Sequence, residues 1–265
     1  QPRILERKGT ACPVLAMTSF DATAVPKAYD LVDATWVMPG RTEPLDAYLP
    51  RTTHSVDTAA IKALPIDDRV AKAPDIFGQA GLGGHRAVAV YDRAGLFSAP
   101  WVWWLLRSHG SEAALIEGWS DTTTHIPQAA PLEFQSKGNP ALMNATKEDV
   151  LAALGTQTQI IDARPAERFF GEAAEPRPEC RSGHIPGSVN IPFSILKSGR
   201  HFHDRDTLLN LFDIAEIDLD SPIITTCGSG VTASGLAFAL TRCGAKQVRV
   251  YQGSWAEWGV DTTLP

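Results

Sequence analysis

The sequence predicts an α/β chain made of two domains of similar plan. Short apolar runs without polar alternation are separated by helical patterns, as expected of parallel strands buried on both faces. One half of the chain can be laid on the other with few gaps. At 265 residues with 44% apolar composition, the chain is also too long for most single α/β units and can fill two cores.

The internal match is specific. Leu31-Val32-Asp33-Ala34 corresponds to Ile160-Ile161-Asp162-Ala163. The run from Ala87 to Tyr91, followed by Asp92-Arg93-Ala94-Gly95-Leu96, corresponds to Ile223 to Thr226 followed by Cys227-Gly228-Ser229-Gly230-Val231. One offset of 135 residues relates Asp92 to Cys227 and Gly118 to Gly253, each glycine closing a short strand. The expected organisation is a first domain over 31–120 and a second over 146–265. Between them, 121–145 is rich in Thr, Pro, Gln and Ala and reads as a linker, while 1–30 shows no clear helix and stays unassigned. In the second half, Thr146 with Glu148-Asp149 reads as an N-cap with an acidic first turn, opening a helix through Leu154. Strands are expected at Gln159 to Asp162, Pro222 to Thr226 and Gln247 to Tyr251, with a helix from Val231 to Cys243.

Composition excludes several function classes. The net charge of -6 and a pI near 5.6, with no Lys/Arg run, offer no field for phosphates, so no nucleic-acid partner is expected. Cys12, Cys180, Cys227 and Cys243 form no CxxC pair and suggest neither a zinc site nor a disulfide framework. No apolar run approaches the roughly 18 residues of a membrane span, and the N-terminus lacks the order of a secretory signal. A soluble, cytoplasmic protein is expected.

Chemistry concentrates in Thr225-Thr226-Cys227-Gly228-Ser229-Gly230-Val231-Thr232-Ala233. A cysteine directly after a buried strand is ordinarily a small packing residue. Here two glycines among the next three positions let the chain curl, so that backbone N–H groups converge on the Cys227 sulfur and the following helix adds its positive end. Both effects favour the thiolate, the nucleophilic form.

This loop resembles the active-site loop of the rhodanese superfamily, and Cys-Gly-Ser-Gly-Val-Thr-Ala resembles its 3-mercaptopyruvate sulfurtransferase branch in particular. The likeness continues through Asp162-Ala163-Arg164, Arg168-Phe169, Glu175-Pro176-Arg177-Pro178, Gly183-His184-Ile185-Pro186-Gly187 and Gly253-Ser254-Trp255-Ala256-Glu257-Trp258. In the first half it is carried by Val90-Tyr91-Asp92, by Gly95 to Pro100, and by Trp103-Trp104; it runs from about Leu31 to Gly259. The resemblance implies two tandem rhodanese-like domains, each a mostly parallel five-stranded sheet flanked by helices. Only the second would be catalytic, since Asp92 holds the cysteine position of the first.

It further implies a persulfide on Cys227, formed from a small-molecule sulfur donor. The outer sulfur would then pass to a thiol, a reduced thioredoxin-like protein or cyanide, with no metal or organic cofactor. Thiosulfate-specific relatives place cationic side chains just after the cysteine, whereas here Gly228 and Ser229 follow. An uncharged loop suits 3-mercaptopyruvate, whose carboxylate is held elsewhere, with the Ser229 hydroxyl free for the substrate. Gly228, Gly230, Val231 and Thr232 complete the expected substrate loop. Arg168 and Arg177 match the paired substrate arginines of the family at the same nine-residue separation, and arginine forks suit carboxylates.

Other features carry less. A phosphatase loop needs an arginine six positions after the cysteine, where this chain has Ala233. His184 is expected to bond to backbone near a turn. The first-half histidine that the family offers for proton transfer has no counterpart in Tyr48-Leu49-Pro50-Arg51; His54 lies close by in sequence, and its alignment to that histidine is left open. Trp101, Trp103 and Trp104 read as packing on a helix face. Glu172, Glu175 and Glu179 read as solvated loop residues, and Cys12, Cys180 and Cys243 as non-catalytic, Cys180 being the one in a polar loop.

Overall fold

The computed structural model describes residues 19–21, 24–36, 53–118 and 129–265. Two five-stranded sheets form its frame. The first half runs β1 (Ser19–Asp21), β2 (Asp30–Asp33), β3 (Thr53–Ser55), α1 (Thr58–Ala63), α2 (Ile66–Gln79), β4 (Val88–Tyr91), α3 (Ala99–Ser108) and β5 (Ala113–Glu117). The second half runs β6 (Asn144–Ala145), α4 (Lys147–Ala153), β7 (Gln159–Asp162), α5 (Ala166–Phe169), β8 (Val189–Asn190), β9 (Lys197–Ser198), β10 (His201–Phe202), α6 (Arg205–Ile214), β11 (Ile223–Thr226), α7 (Val231–Cys243), β12 (Val248–Tyr251) and α8 (Ser254–Trp258).

The sheets share one strand order: β1-β5-β4-β2-β3 in the first and β6-β12-β11-β7-β8 in the second. Every pairing in both sheets is parallel. Parallel strands require helical crossovers that cover both faces, so β4, β5 and β11 are buried at every residue, as their unbroken apolar character requires. No helix among the described residues is long and apolar enough to cross a membrane.

Local chemistry sets the element ends. Thr146 and Asp149 close a reciprocal capping box, the Thr146 hydroxyl accepting from the Asp149 amide and the Asp149 carboxylate from the Thr146 amide. Helix α7 starts after Gly230 at φ 88° and stops at Gly244 at φ 110°, both left-handed positions that favour glycine. Two edge strands differ from the sequence reading. Ser19–Asp21, in the stretch left unassigned, pairs with β5, and Asn144–Ala145, in the stretch read as linker, pairs with β12. Strands of two or three residues are too short to show a period, and only pairing reveals them. Cys12 and the Tyr48 to Arg51 motif lie outside the described residues.

The two halves share one apolar core, continuous from Val32 in the first sheet to Val250 in the second. Helices α3 and α7 meet across the junction, where the Trp103 ring sits edge-on to Phe238 with centroids 5.1 Å apart. Trp101 and Trp103 are fully buried and Trp104 nearly so, in keeping with a packing role. Glu117 at the end of β5 ties the halves further, accepting from Arg242 at 2.9 Å and from the Phe202 amide at 2.8 Å.

After β4, the first half builds the turn that the second half builds after β11. Asp92 is fully buried there and accepts from the amides of Ala94, Leu96, Ser98 and Ala99 at 2.8, 3.0, 2.8 and 2.7 Å. Burial pushes its carboxyl above the usual carboxylate range, and the amide bonds pull it back. The strand-to-helix turn of this fold thus encloses an anion-sized space lined with N–H groups.

Two stability outcomes follow. Trp103→Ala is expected to lower the unfolding free energy by about 3–5 kcal/mol, read from the urea midpoint. Asp92→Ala, which strips several buried amides of their acceptor, is expected to cost about 2–5 kcal/mol by the same measurement.

Candidate active site

Cys227 stands at the turn between β11 and α7, with its residue 2% exposed. Its sulfur accepts from the amides of Ser229 at 3.4 Å and Gly230 at 3.1 Å. The amides of Gly228, Val231 and Thr232 make no hydrogen bond to it, so two of the expected donors converge rather than the whole loop. Val231 is instead buried as the first residue of α7, while Thr232 stays partly exposed.

The peptide planes are turned by α8. The amides of Trp255 and Ala256 hold the carbonyls of Cys227 and Gly228, each at 2.9 Å. The bond to the Gly228 oxygen fixes the plane whose N–H, that of Ser229, faces the sulfur, while the Gly230 N–H lies in the plane of the Ser229 carbonyl. Ser254 completes the clamp: its hydroxyl accepts from the Cys227 amide at 3.1 Å and donates to the Tyr251 carbonyl at 2.8 Å. Ser254 is fully buried and held at φ 51°, an uncommon conformation for a serine. Sequence reasoning quoted Ser254 within a motif without giving it a role.

Both loop glycines stand in close quarters, Gly230 the more tightly. A Cβ on Gly228 would lie 3.1 Å from the Arg168 guanidinium. At Gly230 it would lie 2.7 Å from the Gln252 carbonyl, and φ is positive there as well. Gln252 is itself fixed, accepting from the Trp101 indole at 3.0 Å and donating to Asn144 at 2.9 Å.

Arg168 therefore sits beside the loop, as the sequence reading expected. Its guanidinium is held on one side by Glu175, to which it donates through Nε and Nη2. Glu175 is not a solvated loop residue, since its side chain is only 3% exposed between Arg168 and the buried Arg164. Two guanidinium groups neutralise it, and three acidic residues in one polar stretch gave no means of singling it out. Glu172 and Glu179 are exposed. Arg177 lies with its charge facing Lys62 and Arg69, and its guanidinium makes no hydrogen bond to another described residue.

Lys62 and Arg69, from α1 and α2, are the site neighbours that sequence reasoning missed. Lys62 Nζ donates to the Ser229 carbonyl, 167 residues further along the chain. No motif joins residues so far apart; only the docking of the two halves does.

The remaining candidates lie elsewhere. His184 hydrogen-bonds the Phe169 carbonyl at 3.0 Å and stacks on the Phe169 ring, a structural placement. His54 on β3 hydrogen-bonds the Ala80 carbonyl at 2.9 Å. Cys180 is partly buried, its sulfur 3.9 Å from the Trp255 carbonyl, and Cys243 is buried as the last residue of α7.

Known proteins place this geometry. Residues 146–261 match the family model described as "Rhodanese-like domain". The 3-mercaptopyruvate sulfurtransferase of Escherichia coli K12 is 38% identical over 197 residues, covering 70% of this chain and 69% of that protein. The human 3-mercaptopyruvate sulfurtransferase is 34% identical over 263 residues, covering 90% and 88%. The crystal structure of SseA from Escherichia coli superposes with a TM-score of 0.73 at 28% identity, covering 90% of this chain and 98% of that one. With 34% identity sustained over nearly its full length and the same parallel sheet architecture, the chain belongs to the rhodanese family.

Proposed function

We propose that this chain is a 3-mercaptopyruvate sulfurtransferase that carries sulfur as a persulfide on Cys227. The observation that carries the reading is the pair of amide hydrogens from Ser229 and Gly230 on the Cys227 sulfur. They stabilise negative charge on that atom both as thiolate and as persulfide. In this reading 146–265 is the catalytic domain and 31–120 a non-catalytic one, with Asp92 in the position of the cysteine. Cys180, Cys227 and Cys243 are free thiols, which supports a cytoplasmic, reducing setting.

In the donor half-reaction the Cys227 thiolate attacks the sulfur of 3-mercaptopyruvate. The S–S bond forms, the S–C3 bond breaks, and the electron pair leaves on pyruvate enolate, which takes a proton. Arg168 and Arg177 hold the carboxylate, Glu175 fixing the Arg168 fork so that its free edge faces the donor. Gly228, Gly230, Val231 and Thr232 shape the loop around the donor, and the Ser229 hydroxyl bonds to it. In the acceptor half-reaction a thiol, a thioredoxin-like protein or cyanide removes the outer sulfur. Ping-pong kinetics follow from the covalent intermediate.

Thiosulfate is the second reading, favoured by the excess of positive charge from Lys62, Arg69 and Arg177 at the junction. The ratio of kcat/KM for the two donors separates them, and a preference for thiosulfate would refute the choice made here.

Intact-mass measurement after incubation with 3-mercaptopyruvate is expected to show one added sulfur atom in the native chain and none in Cys227→Ala. A decayed binding module would gain none in either. Arg168→Ala is expected to raise KM for 3-mercaptopyruvate about tenfold or more, with a smaller effect on an uncharged donor. Glu175→Gln frees the guanidinium and is expected to move KM in the same direction, measured in the same steady-state assay.

A further inference from the structure

The donor half-reaction ends with an enolate that needs a proton, and the loop itself holds no acid suited to neutral pH. A serine hydroxyl is too weak an acid, and no histidine among the described residues hydrogen-bonds to the loop. The first half supplies another group. Lys62, near the end of α1, reaches over the junction to the carbonyl of Ser229, the residue whose amide faces Cys227 Sγ. The rings of Trp36 and Trp101 flank its ammonium, with centroids 5.8 and 5.6 Å from Nζ.

Among the described residues no carboxylate pairs with Lys62. The charged groups facing it are Arg69 from α2, Arg177 from the loop after α5, and Cys227. Arg69 is 8% exposed and spends Nη2 on the Lys62 carbonyl and Nε on that of Leu64, while Nη1 is buried with no partner among the described residues. A buried lysine facing two arginines holds its proton loosely. Burial first, then the Arg69 and Arg177 charges, lower its pKa to about 7, with Cys227 acting the other way.

We propose that Lys62 is the general acid of the donor half-reaction, giving its proton to C3 of the departing pyruvate enolate. This rests on the 3-mercaptopyruvate reading above. The balance closes without another reactant. Sγ–S forms and S–C3 breaks, the enolate takes a proton from the Lys62 ammonium, and the neutral amine takes the proton of the outer persulfide sulfur. The products are pyruvate and a persulfide anion held by the loop amides.

The sign of the pH dependence follows. The contribution of Lys62 is present below its folded pKa and lost as pH rises through it, whereas the thiolate requirement runs the opposite way. Activity with 3-mercaptopyruvate therefore falls on the alkaline side, with Lys62 setting that limb.

The test uses the full chain and Lys62→Gln, Lys62→Met and Lys62→Ala, each checked for native Tm. Pyruvate release and Cys227 persulfide are followed in single turnovers with 3-mercaptopyruvate across pH. Expected are a fall in kcat of about 100-fold or more with little change in KM, loss of the alkaline limb, and partial recovery of Lys62→Ala by methylamine in its protonated form. The proposal is overturned if a folded variant keeps kcat and the alkaline limb, if only KM rises, or if methylamine restores nothing. Failure of the donor reading is separate: the native chain would then yield neither pyruvate nor persulfide from 3-mercaptopyruvate.

Discussion

The site depends on two hydrogen bonds that never touch the sulfur. When the first amides of α8 take the carbonyls of Cys227 and Gly228, they fix the rotation of two successive peptide planes. A peptide plane is rigid, so drawing the Gly228 oxygen one way directs the Ser229 N–H the other, toward the sulfur. Without that anchor a Gly-Ser-Gly turn has many conformations of similar energy, and the amides would spend most of their time facing solvent. The strained backbone at Ser254 is the local cost of bringing α8 close enough.

The same turn in the first half shows that the geometry belongs to the fold rather than to cysteine. There the space is occupied by the Asp92 carboxylate, which needs no second reactant and satisfies the amides permanently. The same turn thus holds a carboxylate in one half and a thiol in the other, although both sheets carry the same strand order. The first half still reaches the second by placing α1 against the cysteine loop, where Lys62 meets the Ser229 carbonyl.

Much of this was legible in the sequence, and the limits have physical reasons. β7 was read to the residue, and α7, expected over about Val231 to Cys243, is bounded by the glycines that flank it. The cysteine loop and Arg168 were legible because local backbone requirements and a nearby motif fix them. Lys62 and Arg69 were not, since their part in the site arises from packing between chain segments far apart. Glu175 was misread because an acidic residue in a polar stretch gives no sign that two guanidinium groups will enclose it. The short edge strands at Ser19–Asp21 and Asn144–Ala145 were hidden for want of length.

The unbroken interior from Val32 to Val250 also bears on how the molecule can come apart. Cutting it in two would leave the indoles of α3 and the aliphatic face of α7 wet at once, so each fragment would keep only the smaller cluster of its own half. Cooperativity is thereby imposed on the whole: loosening anywhere along the seam also withdraws α1 from the Ser229 carbonyl.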